Sequence, residues 1–368
     1  MIEEAILKNE EKAIFKLRSL YKKYGYMPFK MSKFEEYDLY VRNKDFLISD
    51  RVITFNDTNG KLLALKPDVT LSIIKNGEDE KGIKQKVYYN ENVYRVSGST
   101  HQYKEIMQAG LECIGDIDLY DIYEVVSLAA SSLSLISDEF VLDISHLGFL
   151  SALLDGISTD KAFRKEISGY IAEKNMHDTV RICEKYGVSE EKTQVLCRLV
   201  GIRGDMESAI DELCGICQSE SAKSALEELK TLKKMLEKTE FYDKIRFDFS
   251  IVNDMNYYNG IVFKGFLSGI CEGVLSGGQY DKLMKRMGRS SGAVGFALYL
   301  DLLEALEGNS VAYDVDVLML YDEKSDATAI AEMSDATVKA GKSISAQKAI
   351  PTKLRYREMI DMRGGAQK

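Results

Sequence analysis

The stretch Ile106–Ile114 constrains this chain more than any other part of it. In an extended strand, successive side chains point to opposite faces. One face then carries Met107, Ala109, Leu111 and Cys113, all apolar and suited to a core. The other carries Ile106, Gln108, Gly110, Glu112 and Ile114, an amide and a carboxylate flanking a glycine that leaves space above the sheet. Two environments fit that second face: water, or a pocket floor for a small ligand with donor groups. The strand has a partner nearby. QKVYYNENVYRV (85–96) is β-rich, and the polar segment SGSTHQ joins it to YKEIMQAGLECIG (103–115). A further hairpin is expected over 51–67, with VITFND and KLLALKP on either side of a turn at Asn59-Gly60.

Around these strands the apolar spacing changes to a helical period. Residues 3–23 and 120–137 read as helices. From about 150 to 240 the chain is charged, rich in Glu, Lys and Leu, and helical in period, which predicts an all-helical insertion. Strand signals return at 245–266, followed by a glycine-rich turn at Leu275–Tyr280 and by GAVGFALYLDLLEAL, a short strand leading into a helix. After 313 the order reads β-α-β-α, with YDVDVLMLY and SISAQ as strands and AIAEMSDATVKAG and TKLRYREMIDMRGG as helices. That piece is below the usual size of an independent domain.

Composition excludes several classes. The chain has 368 residues, enough for two or three domains, with only 3 prolines and no tryptophan, so disordered and proline-rich scaffolds do not fit. Lys and Arg number 49 against 58 Asp and Glu, a net charge of -9, which argues against a basic nucleic-acid binder. No apolar run is long enough to span a bilayer, and the acidic, amphipathic start does not resemble a signal peptide. Six cysteines in this length suggest a reducing cytoplasm. Cys214-Gly-Ile-Cys217 has no second cysteine pair or nearby His to complete a zinc site and reads as incidental. No metal or cofactor is expected.

Other candidates are locally ambiguous. Asp68 and Thr70 could cap the helix that follows them or hold an ammonium group. Tyr257-Tyr258-Asn259-Gly260 reads locally as a hairpin turn, and its tyrosines as packing. Gly277-Gly278 beside Tyr280 lacks the Lys-Ser/Thr of a phosphate loop.

Taken in order, these segments resemble the catalytic core of class II aminoacyl-tRNA synthetases, and specifically the histidyl-tRNA synthetase family, over most of 1–308. Gly25-Tyr26 with Phe34-Glu35 resembles motif 1, the dimer-interface motif. Leu65–Thr70 resembles the L-R-P-E-x-T segment. Tyr94-Arg95 with Tyr103–Gly115 resembles motif 2, and Gly292–Leu303 resembles motif 3. Asn253–Phe263 resembles R-G-x-D-Y-Y-x-x-x-V-F, and Ser276–Asp281 resembles G-G-G-R-Y-D. The resemblance implies an α+β fold: an antiparallel sheet flanked by helices, with the helical insertion inside 1–308 and a short, truncated α/β domain over 309–368. It makes Tyr257–Gly260 a continuing strand. It also implies a histidine site, with Asp68, Thr70 and Gln108 at the ammonium, Glu112 and Tyr258 at the imidazole nitrogens, and Tyr280 alongside.

The departures fall on the ATP side. The family's adenylation arginines are replaced by Asn253 and Leu302, with Asp301 before the latter; the glutamate of motif 2 is Ser97, the arginine of G-G-G-R-Y-D is Gln279, and the proline of motif 1 is Ser32. Arg95 remains as a remnant of the phosphate site, but an isolated arginine does not stabilise a phosphoryl transition state. Selective loss of this kind resembles a branch of the family, the regulatory subunits of ATP phosphoribosyltransferase. That branch implies a non-catalytic, cytoplasmic chain in histidine biosynthesis. Its partners would be the short-form catalytic subunit and a second copy of itself through the motif 1 region, with histidine as ligand and tRNA binding not expected. The competing expectations are a divergent synthetase or histidine-adenylating ligase, and a free-standing histidine or tRNA sensor.

Overall fold

The computed structural model describes residues 7–43, 52–77, 82–96, 100–252, 257–306 and 312–364. The chain divides into two compact units between Leu306 and Glu307.

The first unit opens with α1 (Asn9–Lys23), β1 (Met27–Pro28), β2 (Phe34–Glu36), α2 (Tyr37–Arg42), β3 (Thr54–Asn56), β4 (Leu62–Leu65) and α3 (Thr70–Asn76). The long pair β5 (Gln85–Val96) and β6 (Tyr103–Gly115) follows, then α4 (Leu119–Ser134), β7 (Phe140–His146) and α5 (Leu147–Ile157). The insertion contributes α6 (Lys161–Ala172), α7 (Met176–Lys185), α8 (Glu190–Gly201), β8 (Arg203–Gly204), α9 (Met206–Cys214) and α10 (Glu220–Leu236). The unit closes with β9 (Ile245–Asp248), β10 (Ile261–Leu267), β11 (Leu275–Gln279), α11 (Asp281–Arg286) and β12 (Gly292–Tyr299).

Nine strands form one sheet in the order β1-β5-β6-β12-β11-β10-β7-β9-β8, antiparallel except for the pairs β1–β5 and β7–β9. The expected 51–67 hairpin is present as β3–β4, with β2 on the other side of β4. The alternation in β6 places both of its faces in apolar clusters. Ala109, Leu111 and Cys113 pack with Leu17 and Tyr21 of α1 and with Val125, Leu128 and Ala129 of α4. Ile106 and Ile114 join Leu71, Ile73 and Ile74 of α3, Tyr89, Tyr257, Tyr280 and Leu283 on the opposite face. Each fully buried aliphatic side chain contributes about 1.5–3 kcal/mol. α4 starts where it does because Asp118 caps it, accepting from Tyr120 and Asp121 N–H groups, while Asp121 accepts from the Asp118 N–H in return.

Several local expectations are corrected. Leu275–Gln279 is a sheet strand and no turn. A Cβ on Gly277 would lie 2.4 Å from the Gly295 carbonyl and 2.5 Å from Phe296 Cβ, so this glycine allows close packing across the sheet. Tyr257–Gly260 forms neither a hairpin turn nor a strand. It is an irregular approach to β10, tied down by Asn259 N–H donating to the Gln279 carbonyl (3.1 Å) and Leu147 N–H donating to the Gly260 carbonyl (2.9 Å). The insertion is not all-helical, because β8 pairs with β9. The segment after β12 is a 3-10 helix, Leu300–Ala305. The first helix begins at Asn9, and residues 3–6 of its expected span lie outside the described residues.

The second unit contains β13 (Val315–Leu320), α12 (Ala327–Lys339), β14 (Ile344–Gln347) and β15 (Tyr356–Asp361), a parallel sheet of order β14-β13-β15. The expected last helix is therefore β15. Val317–Leu320 are buried at four consecutive positions, so β13 is central and needs a ladder partner on each side. Pairing with β13 overrides the helical composition of this charged segment. Among the described residues no helix is long and apolar enough to cross a membrane.

Candidate functional site

Cross-strand register carries the polar face of β6 across the sheet. Glu112 lies opposite Val87 on β5 and Gly295 on β12, and Gly295 lies opposite Gly278 on β11. A Cβ at Gly295 would sit 1.7 Å from Glu112 Oε2, so a glycine here makes room for the carboxylate. Glu112 is only 2% exposed. It is held from both sides: the Thr70 hydroxyl donates to Oε1 at 2.9 Å and the Tyr280 hydroxyl to Oε2 at 2.6 Å. Burial pushes its carboxyl up to about 8; the two hydroxyls pull it back, and the nearby Asp68 charge pushes it further up.

Thr70 opens α3, and Asp68 precedes it. Asp68 Oδ1 accepts the Leu71 N–H at 2.9 Å, the hydrogen bond that the capping alternative requires. Burial also pushes the Asp68 carboxyl up, with Arg95 among the groups opposing the rise. Arg95, near the end of β5, donates from Nε to the Pro67 carbonyl at 2.9 Å and so supports the loop that presents Asp68. Tyr258 stacks obliquely on Tyr257 at 4.6 Å between ring centroids, and Tyr257 lies 5.9 Å from Tyr280. Gln108 is 3% exposed on the same face of β6 as Glu112, opposite Glu91 and Tyr299. The solvent-facing alternative for this strand is thereby excluded.

The structure thus gathers Asp68, Thr70, Glu112, Tyr258 and Tyr280, with Gln108 further along the same strand and Arg95 behind the Asp68 loop. Three details differ from the sequence reading or extend it. The space above Gly110 is filled: a Cβ there would meet the Tyr89 hydroxyl at 2.5 Å and the Phe296 carbonyl at 2.2 Å. The signal for Tyr89 is its place directly opposite Gly110 across the hairpin. Tyr257 is buried and belongs to the aromatic wall as much as Tyr258 does. Lys66, fully buried, pairs with Glu91 at 2.9 Å beside the Gln108 row.

Of the positions where the resemblance implies lost ATP contacts, Leu302 packs against the core from the 3-10 helix, and Asp301 is exposed beside it. Gln279 donates to Asp281 Oδ2 at 2.9 Å and covers Gly260, a structural role. Asn253 and Ser97 lie outside the described residues. Among the described residues no cluster of three or more His, Cys, Asp or Glu is arranged to hold a metal ion.

A mostly antiparallel sheet with a long central hairpin, flanking helices and a polar floor defines a class II aminoacyl-tRNA synthetase-like fold. The chain belongs to the histidyl-tRNA synthetase family, whose model matches residues 2–303. It is similar to an ATP phosphoribosyltransferase regulatory subunit from Oceanobacillus iheyensis, 28% identical over 77% of this chain and 70% of the relative. In structure it is similar to an ATP phosphoribosyltransferase regulatory subunit/histidyl-tRNA synthetase from Bacillus halodurans, with TM-score 0.78 and 24% identity over 97% of this chain and 94% of the other. It also resembles a chain of the ATP phosphoribosyl transferase (HisG:HisZ) complex from Thermotoga maritima, with TM-score 0.63 and 20% identity over 79% of this chain and 97% of that one.

Proposed function

We propose that this chain is a non-catalytic regulatory subunit of ATP phosphoribosyltransferase, required for activity of a short-form catalytic chain and for its feedback inhibition by histidine. The names and coverage of the relatives support the partner. One observation carries the ligand: a buried Glu112 flanked by the Thr70 and Tyr280 hydroxyls, with Asp68 alongside. Two carboxylates that burial disfavours as anions gain most from a ligand that brings positive charge and ring N–H donors. Histidine supplies one ammonium and two ring nitrogens. In this reading Glu112 and Tyr258 meet the imidazole, while Asp68, Thr70 and Gln108 meet the ammonium, with Tyr280 orienting Glu112. The core would span 1–308 and a C-terminal domain 309–368, the chain would dimerise through the Gly25–Glu35 region, and it would work in the cytoplasm.

The test mixes the purified chain with a short-form ATP phosphoribosyltransferase. The expected result is a rate that depends on this chain and falls with added histidine, with the histidine effect lost in Glu112→Ala. Histidine-dependent exchange of pyrophosphate into ATP by the chain alone would instead establish an adenylating enzyme. Tight tRNA binding with no effect on the phosphoribosyltransferase would establish a sensor.

A further inference from the structure

A buried histidine ties the insertion to the sheet beside the candidate site. His146 ends β7 and precedes α5. The Phe149 N–H donates to His146 Nδ1 at 3.1 Å, so an imidazole stands where helices usually place Ser, Thr, Asp or Asn as the cap. A ring nitrogen that accepts carries no proton. The hydrogen of the neutral ring is therefore on Nε2, which donates to Glu228 Oε2 at 3.3 Å. Glu228 belongs to α10 of the insertion.

The turn that His146 caps backs the segment bearing Tyr258. Leu147 N–H donates to the Gly260 carbonyl at 2.9 Å, and His146 lies opposite Ile261, the first residue of β10. A Cβ at Gly148 would sit 2.8 Å from His146 Cε1 and 3.5 Å from the Asn259 carbonyl, so the first turn of α5 is wedged between the imidazole and this segment. Asn259 fastens the other flank, its Nδ2 donating to Asp281 Oδ2 at 3.0 Å. The Tyr258 ring rests on the glycine row, where a Cβ at Gly278 would lie 2.9 Å from its Cδ1. A cavity of about 230 Å³ is lined by Tyr258 and Asn259 together with Ser151 of α5 and Ser221 of α10. On that side Tyr258 faces open space, so the backbone ties of its segment, and not close packing, hold it in place.

We propose that His146 is a positioning residue for histidine binding and that Glu228 is the insertion's hold on it. Glu228 keeps the ring in the tautomer that caps α5, the capped turn holds the Gly260 carbonyl, and Tyr258 is thereby kept over Gly278 to meet the imidazole of the ligand. This role rests on the histidine site proposed above. It gives the insertion a part in ligand binding without a contact to the ligand.

The test measures the affinity of the full chain for free histidine by calorimetry. Glu228→Gln keeps an acceptor for Nε2 and should leave the affinity unchanged. Glu228→Lys presents only donors, drives the ring hydrogen to Nδ1 and breaks the cap; it should weaken binding about fivefold, the scale of one lost cap. That loss should vanish in His146→Asn, where an amide caps α5 without help from Glu228, and in Tyr258→Phe, where the hydroxyl being positioned is gone. An unchanged affinity in Glu228→Lys, or the same loss in either background, would overturn the proposal and leave the histidine site standing. An unsubstituted chain that binds no histidine would overturn the site itself, and this role with it.

Discussion

Glu112→Gln should change how stability depends on pH. In the folded chain the Glu112 carboxyl is pushed up to about 8 by burial, against 4.5 for an ordinary glutamate. Below about pH 4.5 both folded and unfolded chains hold the proton, and Glu112 adds no pH dependence. As pH rises toward about 8 the unfolded chain ionises while the fold stays protonated, so stability falls. Above that the fold ionises too and the loss levels off. The gap between the two values corresponds to roughly 5 kcal/mol at ~1.4 kcal/mol per pH unit, an upper bound. Glutamine has the shape and neutrality of the protonated acid, and its amide can accept from one of the Thr70 and Tyr280 hydroxyls and donate to the other. The assay is urea unfolding of both proteins between about pH 5 and pH 9. The stability difference should move in favour of the glutamine variant by several kcal/mol as pH rises. Parallel profiles would refute the reasoning and show that Glu112 titrates as an ordinary carboxylate.

Histidine binding should take up no net proton near pH 7, because Glu112 already carries the proton that a neutral imidazole would share; above pH 8 it should take up one, read by calorimetry in buffers of different ionisation enthalpy. Lys66→Ala leaves Glu91 without its buried partner and should cost about 3 kcal/mol in chemical unfolding. Gly110→Ala drives a methyl against the Phe296 carbonyl, which is backbone and cannot swing aside, and should cost at least about 2 kcal/mol in the same assay.

The period-2 pattern of Ile106–Ile114 separates the two faces of β6, and both pack into apolar clusters, because register leaves its side chains no freedom. The pattern carried no information about what sits above Gly110. That depends on Tyr89 of the neighbouring strand, legible only once the hairpin register is known. The glycines at 277 and 278 read as a turn for a related reason: a glycine forced by a close neighbour looks, in one sequence, like a glycine forced by its own φ. TKLRYREMIDMRGG is a different case. Its local composition favours a helix, and only the demand of β13 for a second neighbour makes it a strand. The ammonium and imidazole candidates rest on resemblance, whereas the Thr70–Glu112–Tyr280 contacts are legible only in the fold, since they join residues up to 168 positions apart.

The row Glu112–Gly295–Gly278 has a consequence for how this protein can change. Beside the carboxylate the row is bare main chain, and the room its side chains would take is already filled, by Glu112 at Gly295 and by Val262 and Tyr258 at Gly278. Main chain offers selection almost nothing to tune: adding an atom at Gly295 collides with the carboxylate itself. A lineage drifting toward a new ligand would therefore keep its floor and rewrite its rim, the aromatic wall of Tyr257, Tyr258 and Tyr280 and the loop bearing Asp68. In any collection of diverging descendants, change should gather along that rim while the glycine lane stays blank.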